Sequence, residues 1–493
     1  MALPSHRSRG SHRFYHDIQL RGPIPPRIVF TPNWVFTQNP AIEKALTDKL
    51  QDDAFWTYDP LAQRGVQNFS WLPYLPARQA QILFARWHDQ FGIYHPHSWS
   101  PALVADRLLL TLHHLKPLMA GRDAPWREGV LNVIARQARH LRRNFKKGSS
   151  APQDMVRIPL AHSLTTLCIP HDPTLGSPIE DQLSIALTAI AEGHIPKSWR
   201  DLTQAVEDVC ALQNLKAAFA SRRLSPPPEL KEALKVARLS VGGALFKTSA
   251  WHVLPAQREG NQGLLASLAL PQRVEAHPLL AQLGLYPLQG KGTSLLADGS
   301  HIDTPFAPHA FGFADEMGAL VTNCGAPSFL AQSLHPKLKR LYPFLQSAAA
   351  ASGLDCLRSS PPPYSPANII REDAPAGQLL TLKHVDGPNE YQRRLWLTAD
   401  GQALKGEDAF SGAPPLPPYR FHLAPGVKAL YEQGNTHISL HRDQGGPWKF
   451  TTSHADMTVE ESVYAGQDGQ LIKTDQIVLI PHRGGIRWAF TKD

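Results

Sequence analysis

Histidine and tyrosine side chains, which are able to transfer protons, lie near predicted turns and strands at three positions of the sequence. His194 lies in the Gly-His turn of AEGHIPKSW, ahead of a predicted helix, and Tyr286 precedes the predicted strand TSLLADG. His422 and Arg420 alternate on one predicted strand, so both project from the same face of its sheet. Each position also has a structural interpretation: a loop histidine, a core or rim aromatic, and a solvated strand face.

Basic side chains form a stripe on one predicted helix. Arg136, His140, Arg143 and Lys147 recur at three- and four-residue spacing, which puts them on one helical face. The whole chain is basic, with a net charge of +8 and a sequence pI near 9.2. Such a charge attracts acidic polysaccharide, nucleic acid or anionic lipid, and a solvated helix face explains the stripe equally well. Because no aromatic-interleaved basic platform is present, nucleic acid is the weakest of these partners.

Motifs for nucleotides, dinucleotides and catalytic zinc are absent from the sequence. It has no Gly-x-x-x-x-Gly-Lys-Ser/Thr, no Gly-x-Gly-x-x-Gly after a strand and no His-Glu-x-x-His. The neighbours His113 and His114 diverge around a helix and make a poor metal pair. The four cysteines are far apart, which is typical of reduced thiols rather than a disulfide framework. We therefore expect no cofactor and no dedicated metal site.

The N-terminal residues are basic and carry no apolar core of a signal peptide, and no stretch has the length of a membrane span. These features predict a cytoplasmic protein without a membrane-spanning segment.

Hydrophobic periodicity divides the chain into an α-rich and a β-rich part. Apolar residues recur at helical spacing from about residue 41 to 240, with short loops that favour stacked antiparallel helices. From about residue 241 the pattern alternates and is punctuated by Asp-Gly, Gly-Asn and Gly-Gly, the chemistry of antiparallel hairpins. The predicted organisation is an N-terminal extension (1–40), a helical domain (41–240) and an antiparallel β domain (241–493).

The β-rich part resembles the heparinase II/III-like family of polysaccharide lyases. Five segments carry the resemblance in order: Val321–Gly325, Arg393–Leu397 with Asp400-Gly401, Gly406–Asp408, Arg420–Leu423 with Pro425–Val427, and Glu460–Tyr464. The helical part matches at Phe69–Leu72 and at Glu192–His194. The resemblance implies an incomplete α/α toroid followed by an antiparallel β-sandwich.

The resemblance also implies β-elimination on an acidic, uronate-containing polysaccharide. Such an enzyme must stabilise charge on the carboxylate, remove a weakly acidic proton and protonate the leaving oxygen. The implied proton-transfer residues are His194, Tyr286, His309 and His422. The implied substrate-binding residues are Lys197, where the family usually has arginine, and Arg420, with Arg136 and Arg143 as a basic rim. Glycan-degrading members act in the periplasm or outside the cell, so the cell envelope is the alternative location.

Two stretches depart from the family pattern. His309, in the stretch Asp303–Phe313, is displaced by a few residues from the expected histidine, and Ala348–Gly353 stands where a second histidine is usual. A general acid or base contributes about 10²–10⁴ in rate, so these departures raise a second hypothesis. In that hypothesis the chain is a catalytically impaired glycan-binding or envelope-assembly protein on the same scaffold.

Overall fold

The structure is a computed structural model, and it describes the larger part of the 493 residues. The described ranges are 17–49, 65–96, 98–144, 155–177, 181–244, 262–268, 270, 277–299, 309–325, 327–345, 347–355, 368–386, 389–411, 416–432, 437–466, 468–482 and 484–492. Lys147 of the predicted basic stripe lies outside these ranges, as do the first sixteen residues of the predicted N-terminal extension.

The chain divides into two compact units. One contains the described residues up to Arg238 together with the helices Gln262–Leu268 and Phe329–Leu334, and the other contains most of the remaining chain. The first unit is helical, and the second holds every strand of the described residues. The predicted order of a helical domain followed by antiparallel sheets is confirmed.

The described α-helices have the following bounds: Pro40–Asp48, Ala77–Phe91, Pro101–His113, Leu115–Met119, Ala124–Arg143, Arg157–Cys168, Asp181–Ala191, Leu202–Ser221, Leu230–Gly243, Gln262–Leu268, His277–Ala281, Phe329–Leu334 and Pro336–Leu345. Short 3₁₀ turns lie at Leu72–Tyr74, Pro173–Leu175, Lys197–Arg200 and Ala348–Ala350. Among the described residues, no helix is both long and apolar enough to cross a membrane.

Local sequence explains where several helices begin. The side chains of Asn39, Asp123 and Asp201 accept hydrogen bonds from first-turn amides, which would otherwise lack acceptors. Pro101 opens its helix at a position where a missing amide hydrogen costs nothing.

Hydrophobic periodicity does not predict one of the helices. Arg157–Cys168 packs against the helices Pro101–His113, Ala124–Arg143 and Leu202–Ser221, and its residues from Pro159 to Thr165 are all buried. A helix covered on all sides shows no apolar stripe. The sequence pattern therefore did not reveal it.

The second unit is built from two antiparallel sheets. The strands are β1 Leu285–Gly290, β2 Thr293–Asp298, β3 Phe311–Asp315, β4 Gly318–Thr322, β5 Gly353–Leu354, β6 Asn368–Ala374, β7 Gly377–Asp386, β8 Asn389–Thr398, β9 Ala403–Ser411, β10 Tyr419–Leu423, β11 Lys428–Tyr431, β12 Ile438–His441, β13 Trp448–Ser453, β14 Ala455–Ala465, β15 Leu471–Pro481 and β16 Gly485–Lys492. Sheet A has the order β1-β2-β3-β4-β10-β15-β14, with β5 also paired to β10. Sheet B has the order β11-β12-β13-β16-β9-β8-β7-β6.

The two sheets share one aromatic-rich core, as in a β-sandwich. Phe311 of sheet A stacks on Trp488 of sheet B with ring centroids 5.5 Å apart, and Phe421 approaches the same indole edge-on at 4.9 Å. Phe313 and Trp448 make a further perpendicular contact at 5.2 Å. These rings recur at alternate positions of their strands, so they lie on the same face of each strand, the face that is inside the sandwich.

Gly406 of β9 leaves the space that the Trp488 indole fills. A Cβ atom at Gly406 would come 2.1 Å from Trp488 ring carbons, so we expect Gly406→Ala to destabilise the protein by about 1–3 kcal/mol through overpacking. Urea unfolding measures this change. Gly446→Ala is the matched control, because a Cβ there meets no heavy atom within 4 Å and should change stability by no more than about 0.5 kcal/mol. Equal effects of the two substitutions would contradict the packing argument.

Candidate functional site

His422 lies at the centre of a buried polar cluster on sheet A. Phe421 and Leu423 enter the sandwich core, so Arg420 and His422 point to the opposite face of the sheet. We call Asn323, Cys324, Ser352, His422 and Ser462 the His422 network.

Hydrogen bonds occupy both ring nitrogens of His422. Nε2 lies 2.8 Å from the carbonyl oxygen of Ala349, and Nδ1 lies 2.8 Å from the hydroxyl of Ser462. A carbonyl only accepts, so Nε2 carries the proton and Nδ1 accepts from Ser462. Burial, together with the charge of Arg420, lowers the pKa of His422 to about 4, although the hydrogen bond to Ala349 opposes this shift. The ring is therefore neutral at physiological pH, with its only lone pair engaged by the protein.

The alanine stretch supplies the contacts that hold His422. The Ser352 hydroxyl donates to the carbonyl of Thr322 and accepts from the backbone amide of His422 at 2.9 Å. The Ser352 amide donates to Asn323 Oδ1 at 2.7 Å. The segment that has no histidine thus anchors the histidine on the neighbouring strand.

Cys324 lies beside the same ring. Its Sγ is 3.5 Å from His422 Nδ1 and 3.7 Å from the Ser462 hydroxyl, and burial raises the pKa of the thiol to about 11. A protonated thiol in this position is a packing group and a weak hydrogen-bond partner rather than a nucleophile.

Arg420 is committed to two carboxylates. Its Nε donates to Asp355 Oδ2 at 2.8 Å, and its Nη1 lies 3.4 Å from Glu460 Oε2. Its side chain is 21% exposed. A substrate carboxylate would have to compete with both pairs for this guanidinium.

His309 lies next to a second network, inside the sandwich. It is buried, its φ is 66°, and its ring centroid is 5.0 Å from that of Tyr391. A positive φ is uncommon for a residue other than glycine, and the carbonyl of His309 is held by Arg393 Nη1 at 2.8 Å. The backbone of His309 therefore has a structural role, whichever part its ring plays.

The Arg393–Asp408 ion pair is the centre of this second network. Both side chains are fully buried, and Arg393 donates from Nε and Nη2 to the two carboxylate oxygens at 2.6 and 3.0 Å. Asp408 also accepts from the Tyr391 hydroxyl at 2.8 Å and from Trp488 Nε1 at 2.6 Å. Burial lowers the pKa of Arg393, but the charge and hydrogen bonds of Asp408, together with the nearby Tyr391 and Tyr419, raise that pKa above its usual value. Both members of the pair are therefore charged. The carboxylate of Asp408 accepts four hydrogen bonds in all.

The remaining predicted residues are members of neither network. Tyr286 on β1 is half-buried, and burial together with the charge of Asp298 raises its pKa. His194 and Lys197 belong to the helical unit and are exposed. Gly193, with φ 91°, ends the helix Asp181–Ala191, and the amide of His194 donates to the carbonyl of Ala189 at 2.9 Å. The Gly-His turn is thus a helix terminus.

The predicted basic stripe is interrupted. Arg136 forms an ion pair with Asp17, and burial together with the charge of Arg139 lowers the pKa of Arg136. His140 is buried, whereas Arg143 is exposed. Of the described part of the stripe, only Arg143 presents a largely solvated side chain. The assignment of these residues to substrate binding remains a prediction.

Sequence reasoning missed the partners that hold the predicted residues. Ser352, Ser462 and Asp355 received no role, although each contacts His422 or Arg420. Arg393 and Asp408 carried part of the family resemblance but were not recognised as an ion pair. A usable signal existed, because both charges fall on core-facing positions of adjacent predicted strands, where a charge requires a partner.

Two solved structures share this architecture over nearly the whole chain. A heparan sulfate lyase from Pedobacter heparinus has a TM-score of 0.52 and 11% identity, covering 98% of this chain and 87% of that one. A heparinase III has a TM-score of 0.53 and 9% identity, covering 93% of this chain and 85% of that one. At these identities the likeness defines the fold: an incomplete α/α toroid followed by an antiparallel β-sandwich.

A family model then identifies the β-rich part. Residues 368–489 match the family model described as heparinase II/III-like, C-terminal, so this part of the β-rich region is similar to that domain. A curated relative is FtsZ-localized protein C of Caulobacter vibrioides (strain NA1000 / CB15N), with 25% identity over 509 residues, 91% of this chain and 85% of the relative.

Loss of the buried ion pair should be costly. We expect Arg393→Met to destabilise the protein by about 3–5 kcal/mol, because Asp408 would be left as an unpaired charge in the core. Arg394→Met is the matched control, since the adjacent Arg394 is 45% exposed and its pair with Glu407 is worth at most about 1 kcal/mol. Urea unfolding of both variants measures the difference. A cost at Arg393 no larger than that at Arg394 would contradict a structural role for the pair.

The depressed pKa of His422 predicts a pH-dependent stability. As pH falls below about 6.5 the unfolded chain protonates this histidine first, so stability is lost between pH 6.5 and about 4, by about 3 kcal/mol in full. We expect His422→Asn to be less stable than the parent at pH 7 and to lose less stability on acidification. Urea unfolding at pH 7, 5.5 and 4.5 measures both effects, and ¹⁵N NMR of the ring tests the assigned tautomer. Equal pH dependence of the two proteins would refute the assignment.

Proposed function

We propose that this protein is a non-catalytic scaffold on the polysaccharide lyase fold that binds an acidic glycan. The observation that carries the proposal is the state of His422. A base for β-elimination needs a lone pair that substrate can reach, and the lone pair of His422 accepts from Ser462 on a ring that is 2% exposed. The alternative is a uronate-specific lyase, the activity that the family resemblance implies.

Two other features of the site argue against catalysis. Arg420 is held by Asp355 and Glu460, although a lyase needs cations that can neutralise the substrate carboxylate. The pKa of Tyr286 is raised, which opposes the phenolate form that a catalytic base requires. Among the described residues of the sheet unit, the predicted proton-transfer groups are thus arranged for structure.

Charge and relatedness agree with this proposal. The net charge of +8 favours association with polyanions, and the solved neighbours include a heparan sulfate lyase. The name of the curated relative, FtsZ-localized protein C, describes a location rather than a reaction. For this chain we infer a glycan ligand and a role in envelope assembly, with no cleavage step.

Binding and cleavage can be measured on the same samples. The full chain is mixed with heparin, chondroitin sulfate, alginate and polygalacturonate, and binding is followed by calorimetry while absorbance reports unsaturated uronate. We expect binding of at least one polyanion that weakens as salt rises, with no unsaturated product. A heparinase III serves as the positive control for cleavage. Product formation that His422→Asn abolishes would establish the lyase alternative, and failure to bind any glycan would refute both hypotheses.

A further inference from the structure

The outer face of sheet B carries a groove that none of the predicted site residues touches. It has a volume of about 680 Å³, within the range of small-molecule sites. We define the Trp396 groove by the side chains of Arg394, Trp396, Lys405, Glu407 and Arg487, all of which line it.

Strand register places these side chains on one face. Trp396 on β8 pairs with Lys405 on β9, and Arg394 pairs with Glu407, which in turn pairs with Arg487 on β16. Directly paired residues of antiparallel strands project to the same side. The intervening residues of β8, such as Leu395, belong to the sandwich core, so the groove opens away from it.

The groove is positively charged. Glu407 is shared by two arginines, lying 3.1 Å from Arg394 Nη1 and 3.2 Å from Arg487 Nη2. Three cations against one carboxylate leave a net charge of +2. Arg394 and Arg487 are 45% and 76% exposed, so their pairs with Glu407 are weak and their remaining N–H groups face solvent. Lys405 is also exposed, and no ion pair involving it occurs among the described residues.

Trp396 supplies a flat apolar surface beside these cations. It is half-buried, and its ring lies 3.0 Å from the position that a Cβ of Gly377 would occupy. Because Trp396 lines the groove and is only half-buried, part of its indole is available for the C–H surface of a sugar ring. Guanidinium groups donate in a fork that matches a carboxylate or sulfate.

We propose that the Trp396 groove is a binding site for an anionic saccharide, which stacks a ring on Trp396 and places a carboxylate or sulfate against Arg394 and Arg487. The inference deepens the glycan-binding function proposed above and rests on it. The groove lies on sheet B and the His422 network on sheet A, so this site needs none of the lyase machinery.

Substitutions in the groove test the site directly. Binding of sulfated heparin oligosaccharide and of alginate oligosaccharide to the full chain is measured by calorimetry for the parent, Trp396→Ala and Arg487→Gln. We expect each substitution to weaken binding about tenfold or more, as for other central contact residues. Lys473→Ala is the control, since Lys473 is a 71% exposed cation on sheet A. It should stay within about twofold of the parent. Neutral dextran oligosaccharide should not bind.

The outcomes separate this inference from the proposed function. If the parent binds and both groove variants bind equally well, the groove is refuted while glycan binding stands. If the parent binds no glycan, the proposed function fails and the groove fails with it. If poly-glutamate binds the parent as tightly as the saccharides and Trp396→Ala has no effect, the occupant is an acidic peptide and the saccharide assignment is wrong. Arg487→Gln changes a surface side chain far from the core, so it remains informative if Trp396→Ala does not fold.

Discussion

The buried ion pair between Arg393 and Asp408 is the interaction on which the sheet unit depends. Asp408 receives donors from β8 and β16, and Arg393 reaches out of the sheet to the carbonyl of His309. Arg393 also lies 3.4 Å from the carbonyl of Ser352. A charge in a hydrophobic interior must be matched by oriented partners, so these distant segments have one arrangement that satisfies all of them.

Hydrogen bonds of Ser352 connect this ion pair to the His422 network. Ser352 receives Arg393 on its carbonyl and offers its hydroxyl to the amide of His422. One residue thus links the core ion pair to the network on the opposite face of sheet A. The polar atoms of the His422 network are directed at one another, and the network is an extension of the core.

The sequence predicted the helices and hairpins in which apolar residues recur at a regular local spacing. Helix Ala77–Phe91 lies in the stretch of predicted helical periodicity, because its apolar residues follow one face. The hairpin of β8 and β9 follows the predicted alternation and Asp-Gly turn. Helix Arg157–Cys168 did not follow from its sequence because it is covered on all sides. The contacts of His422 with Ala349 and Ser462 span about 40 to 73 positions of the chain. Local sequence patterns do not predict contacts between residues so far apart. These contacts depend on the order of the strands in the sheet, which long-range packing determines.

Two consecutive arginines of strand β8 differ in burial. Arg393 is fully buried and Arg394 is 45% exposed, because the pleat sends neighbours to different sides. Substitutions at even-numbered positions of this strand can therefore accumulate with little effect on the stability of the fold. The odd-numbered positions accept only side chains that fit the sandwich interior. A lineage is thus free to exchange its outward-facing side chains while the sandwich persists unchanged. Inheritance of this domain preserves its architecture and leaves the chemistry of its outer face open to change.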